Sequence, residues 1–63
     1  MRKNLKMARK RKRLQGWKLA PLIYVSLRTY WYIEAGKTDS YPDVWDRLEK
    51  ILGVPKEILK ENY

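Results

Sequence analysis

Apolar residues recur at helical spacing in five short blocks, separated by polar, Gly or Pro positions. Leu5 and Ala8 lie on one face of a first helix over Leu5–Lys12. After a short Leu14–Gln15 connection, Leu19, Ala20 and Ile23 at i, i+1, i+4 predict a second helix over Gly16–Ile23. Tyr24–Val25 is a tight link. A third helix runs to about Ala35, with Tyr30 and Ile33 inward and Thr29 beside them. Ser26 is a favourable N-cap for it, and Gly36 supplies a left-handed stop. Lys37–Tyr41 is a polar loop. Pro42 fits the first turn of a fourth helix that ends near Leu52, where Gly53 stops it. Asp43 and Asp46 sit toward its positive end, and Val44, Leu48, Ile51 and Leu52 form its buried stripe, with Trp45 partly buried. Pro55 opens a short fifth helix with Ile58 and Leu59 inward. Met1–Asn4 reads as a basic arm and Asn62–Tyr63 as a frayed end. The expectation is an all-α single domain spanning residues 1–63.

Charge changes this picture. Residues 1–33 hold ten Lys/Arg and no acid, while residues 34–63 hold five Lys/Arg and all seven Asp/Glu, so the halves carry +10 and −2 and the chain +8. A basic half beside a near-neutral one is a footprint for phosphate, an acidic protein or an anionic surface. With 63 residues the core is small and stability marginal. There is no Cys or His, which rules out a disulfide and a Cys/His zinc site. Ser26 and Ser40 have no evident base, and the acids are not spaced as a metal set, so neither an enzyme nor a cofactor is expected. No signal peptide or membrane span is expected, and a natural chain of this kind would be cytoplasmic.

The residues Leu5, Arg9, Leu14, Leu19-Ala20, Ile23, Val25-Ser26, Thr29, Ile33-Glu34, Gly36 and Leu52-Gly53-Val54 carry a resemblance. In that order and spacing the chain resembles the Cro/repressor-type (XRE-like) helix-turn-helix family over roughly residues 5–61. The resemblance implies a five-short-helix domain whose helix-turn-helix occupies residues 16–35. The second helix would cross a DNA backbone and the third would enter the major groove, commonly from a dimer. It also implies an ion pair between Arg9 and Glu34 that ties the first helix to the end of the third. If a dimer forms, the likeness places its seam at the fifth helix and the Leu52–Pro55 corner.

Departures from the family's habits cluster on one surface. Gly16 stands where a polar phosphate contact is usual, and Trp17 where a charge is common. Pro21 lies inside the second helix, where proline costs roughly 3 kcal/mol or kinks the helix. Tyr24 occupies the turn position that usually holds a left-handed Gly, at about 1–2 kcal/mol if that backbone is kept. On the outward side of the third helix, Leu27 pairs with Trp31 and Arg28 with Tyr32 at i, i+4. Base edges ask for Arg, Lys, Asn, Gln, Ser or Thr. Only Arg28 fits well. Asp39 would be unfavourable beside a phosphate backbone.

Two functions follow. The first is a protein-binding variant of the scaffold, remade by selection or design, with Trp17, Pro21, Tyr24, Leu27, Arg28, Trp31 and Tyr32 as contact face and Asp39 at its rim. Trp, Tyr and Arg are the types that dominate protein–protein hot spots. The second is a phage- or bacterial-type regulator that binds duplex DNA. There, Arg28, Leu27 and Tyr32 would read bases, and Lys37, Thr38, Lys10 and Arg13 would hold phosphates. The clustering of the departures favours the first.

Overall fold

A computed structural model describing residues 1–63 contains five α-helices and no strand: α1 Lys3–Arg11, α2 Gly16–Leu22, α3 Leu27–Ala35, α4 Pro42–Leu52 and α5 Lys56–Leu59. The core joins Leu5 and Ala8 of α1, Leu19 and Ala20 of α2 with Ile23, Tyr30 and Ile33 of α3, Val44, Trp45, Leu48 and Leu52 of α4, and Leu59 of α5. Trp45 is wholly buried rather than partly so, while Ile51 is only half-buried and packs against the edge of the core. Ile58, expected inward, is 43% exposed, because the single turn of α5 turns only Leu59 fully to the core. Thr29 is exposed as well; its backbone N–H donates to the Ser26 side chain, 3.1 Å away, so it serves the N-cap of α3 and not the core.

Three of the helices end in the same way. Just past each end, one N–H reaches back to a carbonyl five residues earlier: Leu14 to Arg9, Val25 to Ala20 and Lys37 to Tyr32. The N–H before each closes the shorter loop, Arg13 to Lys10, Tyr24 to Pro21 and Gly36 to Ile33. This is the Schellman arrangement, which needs a left-handed residue at its centre. Gly36 supplies it with φ 78°. The other two centres are Arg13 at φ 57° and Tyr24 at φ 60°, non-Gly residues where a Cβ is disfavoured by about 1–2 kcal/mol. Pro21 is accommodated near the end of α2, which closes at Leu22, one residue before the expected end.

The basic arm expected at Met1–Asn4 does not exist as an arm. Lys3 and Asn4 are already helical, and Arg2 is buried. Its guanidinium donates to the carbonyls of Ile33, Thr38 and Lys60 at 2.6, 2.9 and 3.2 Å and to the Asp39 carboxylate, and it lies 5.0 Å from the Trp45 ring centre. The Arg2 N–H donates to the Glu34 carbonyl at 2.8 Å. One side chain thus ties the last turn of α3 to the loop that follows it and to the end of α5, and its charge sits at the negative end of the α3 dipole. The chain end is not frayed either. The Tyr63 N–H donates to the Met1 carbonyl at 3.0 Å, its hydroxyl lies 3.0 Å from Asn4 Oδ1, and Asn62 Nδ2 donates to the Gly36 carbonyl at 3.0 Å.

Candidate interaction surface

The inner side of α3 is a closed network. Arg9 Nε donates to Glu34 Oε1 at 2.9 Å, Arg9 Nη1 to the Leu14 carbonyl at 2.9 Å, and the Tyr30 hydroxyl to the same Glu34 oxygen at 2.8 Å. The three side chains are buried, and no buried side-chain polar atom in the protein lacks a partner. Burial works against the charge of Arg9, but the hydrogen bond and charge of Glu34 prevail and hold its pKa above the ordinary value. Burial, reinforced by the neighbouring Glu34 carboxylate, pushes the Tyr30 phenol well up. The Arg9–Glu34 pair implied by the resemblance is therefore present as a strut between α1 and α3.

The outer side is open. Trp17 and Tyr24 are 60% and 76% exposed, Trp31 43%, and Leu27, Tyr32, Pro21 and Arg28 are also exposed. Leu22, on the outer side of α2, joins them without having been anticipated. Each exposed aromatic of this surface has a cation over its ring: Lys18 on Trp17 at 5.3 Å, Arg47 on Tyr24 at 4.5 Å, Arg9 on Trp31 at 5.5 Å and Arg28 on Tyr32 at 5.8 Å. The contribution of Arg47, from α4, was not legible because it comes from a different helix. Asp39, placed at the rim by the sequence, is instead held by Arg2, with its carboxylate still facing water.

Trp31 does more than project. A Cβ built on Gly16 would fall 2.6 Å from its Cη2 and 2.7 Å from its Cζ2. The indole therefore lies down on the start of α2, and only glycine leaves room for it. Its edge meets Tyr30 at 5.5 Å between ring centres, in a T-shaped arrangement. Gly16 and Trp31, two separate departures in the sequence, are one feature. Beside them a pocket of about 290 Å³ is lined by Arg9, Lys10, Arg13, Leu14, Gln15 and Trp31.

The four residues considered for phosphate separate. Lys10 and Arg13 share that pocket; Lys37 and Thr38 do not line it. Thr38 belongs to the Arg2 clasp through its carbonyl, and its hydroxyl donates to the Asp39 carbonyl at 3.1 Å. The seam considered for a dimer shows Ile58 exposed next to Met7 and Val54, around a shallow groove between α1 and the α4–α5 corner. No helix is long and apolar enough to cross a membrane. Comparison with family models, with curated proteins and with solved structures finds no match.

Proposed function

We propose that the chain is a non-enzymatic binding module on a helix-turn-helix scaffold, whose α2–α3 surface, selected or designed for the purpose, takes a protein partner through Trp, Tyr and Arg anchors. The observation that carries this reading is the exposure of Trp17, Tyr24, Leu27, Trp31 and Tyr32 within the one segment formed by α2, the turn and α3. The core is complete without them. Exposed apolar surface of this kind marks interaction sites, and rigid aromatics give large contact area with little entropy to lose. Tyr24 supports the reading further. It occupies a left-handed position at a steric cost, and it contributes nothing to the core in return.

The test is a pair of selections run on the same chain at physiological salt, one from a displayed protein library and one from randomised duplex DNA. The expected result is a protein partner whose affinity falls about 30-fold or more, roughly 2 kcal/mol, in Trp17→Ala or Tyr24→Ala. The DNA arm should return no motif.

A regulator that binds DNA is the second reading, favoured by one observation: Arg28, Lys10 and Arg13 are exposed in the half that carries +10. An enriched two-fold motif with a guanine within reach of Arg28, and an affinity falling steeply with salt, would establish it. A dimer through Ile58 and Val54 would then set the half-site spacing.

A further inference from the structure

We propose that the pocket between α1 and Trp31 receives an oxyanion-bearing side chain of an acidic protein partner. The proposal rests on reading the α2–α3 surface as protein-binding, since Trp31 belongs to both. Lys10 and Arg13 enter no ion pair and no side-chain hydrogen bond within the chain, whereas Arg9 is committed to Glu34 and the Leu14 carbonyl. Two uncompensated cations therefore line a pocket whose other walls are the committed Arg9, Trp31, Leu14 and Gln15. A volume of about 290 Å³ is at the lower end for small-molecule sites and holds one side chain.

Geometry narrows the ligand. A guanidinium and an ammonium together match a carboxylate or a phosphate monoester, with the planar fork of Arg13 able to donate twice. The indole is suited to the apolar or aromatic stem that carries the anion. Two local features shape this wall of the pocket. Arg13 holds a left-handed φ of 57°, and residue 16 lacks the Cβ that would lift the indole away from the start of α2. The surrounding charge agrees. Residues 1–33 contain no acid, Glu34 is spent inside on Arg9, and Asp43 is paired with Arg47. A duplex backbone offers phosphodiesters without such a stem and would leave Trp31 idle. Carboxylate and phosphorylated side chains share the chemistry, and the probes below separate them.

The experiment is a titration of the whole chain, followed by amide and indole NMR shifts, with four probes: phenyl phosphate, phenylacetate, phenol and inorganic phosphate. The two aromatic anions should shift Lys10, Arg13, Gln15 and the Trp31 indole, and bind about tenfold or more tighter than phenol or inorganic phosphate. Phenyl phosphate ahead of phenylacetate assigns the site to phosphorylated side chains; the reverse order assigns it to Asp or Glu. Lys10→Gln and Arg13→Asn are exposed changes that keep the fold, and each should weaken phenyl phosphate about tenfold. Lys50→Gln removes the same charge from α4 and should change it less than twofold. Gly16→Ala leaves every cation in place and should reduce phenyl phosphate to the level of inorganic phosphate.

Equal weakening by Lys50→Gln, phenol binding as well as the anions, or indifference to Gly16→Ala would each overturn the proposal. So would a short DNA duplex that displaces phenyl phosphate from Lys10 and Arg13 at physiological salt. If the probes fail while a selected protein partner still depends on Trp17 and Tyr24, the pocket is wrong and the surface reading stands. If that partner ignores Trp17 and Tyr24, the surface reading has failed as well.

Discussion

The two sides of α3 are built from the same residue types and do opposite things. On the inner side, Arg9, Tyr30 and Glu34 are buried, and their polar atoms close on one another within 2.9 Å. On the outer side, Arg28 and Tyr32 are exposed, and their contact at 3.4 Å is at the limit of a hydrogen bond. Arginine and tyrosine thus hold the fold where their polar groups are satisfied internally, and are available to a partner where they are not. Residue identity does not separate the two roles. Satisfaction and burial do.

The largest effect expected from breaking this contrast is at Arg9. Arg9→Met leaves the buried Glu34 carboxylate without its cation, and removing one member of a buried pair costs about 3–5 kcal/mol. In a 63-residue chain that is comparable to the whole stability. Urea denaturation should show Arg9→Met largely unfolded. The double variant Arg9→Met with Glu34→Leu should recover most of the loss, because both charges are then gone. Failure of the double variant to recover would mean that Arg9 acts mainly through the Leu14 carbonyl and the Trp31 ring.

Trp17 is the matching change on the outer side. Trp17→Ala should lower the free energy of unfolding by no more than about 0.5 kcal/mol, since the residue is largely exposed and lies outside the core cluster. The same change should weaken a selected protein partner by about 2 kcal/mol or more. A variant that loses stability instead of affinity would place Trp17 in the fold and undo the contrast between the two sides.

The elements that could be read from the sequence were those set by local patterns. Ser26, Pro42, Gly36 and Gly53 each marked a helix end by its own backbone chemistry, and the inward spacing of Leu19, Ala20, Ile23, Tyr30 and Ile33 gave the core of α2 and α3. What could not be read depended on distant segments. Arg2 looks like one more charge in a basic arm until Ile33, Thr38 and Lys60 bring their carbonyls to it. Ile58 looks inward until α5 proves to be a single turn. Gly16 looks like a missing contact until Trp31 lies across it. Arg13 gave no local sign of a left-handed backbone, because glycine and asparagine are the signals for it and neither is there.

Alkaline pH probes the inner side with a gentler hand. The Tyr30 phenol is held above its ordinary value first by burial and then by Glu34. A group whose folded pKa is raised contributes stability in full below its unfolded pKa, about 10 for tyrosine, and loses it as pH climbs toward the folded value. Stability should therefore decline above about pH 10, by up to about 1.4 kcal/mol per pH unit from this group. Lys56, held up by its hydrogen bond to Asp46, acts in the same direction. The Tyr30→Phe variant separates the two: it should be less stable at neutral pH and show a shallower alkaline decline. Parallel declines in the two proteins would remove Tyr30 from the account.

The smallest effect, and the one that bears most directly on why the outer side exists, is at Tyr24. Its left-handed φ of 60° costs about 1–2 kcal/mol relative to a residue at ease there. The stacking of Arg47 over its ring returns about 0.5–1 kcal/mol at an exposed site. Asparagine tolerates the left-handed region and lacks the ring, so Tyr24→Asn should stabilise the chain by about 0.5–1 kcal/mol. Arg47→Gln in the wild-type chain should remove both the stacking and the exposed contact with Asp43 and destabilise it slightly, while in Tyr24→Asn the same change removes the Asp43 contact alone, so the difference between the two isolates the stacking. Thermal or urea unfolding of the four proteins gives this cycle directly. A more stable Tyr24→Asn that no longer binds the partner would mean that the turn is strained for binding. A less stable one would mean that Tyr24 holds α4 against the turn through Arg47, and that part of the outer side is structural after all.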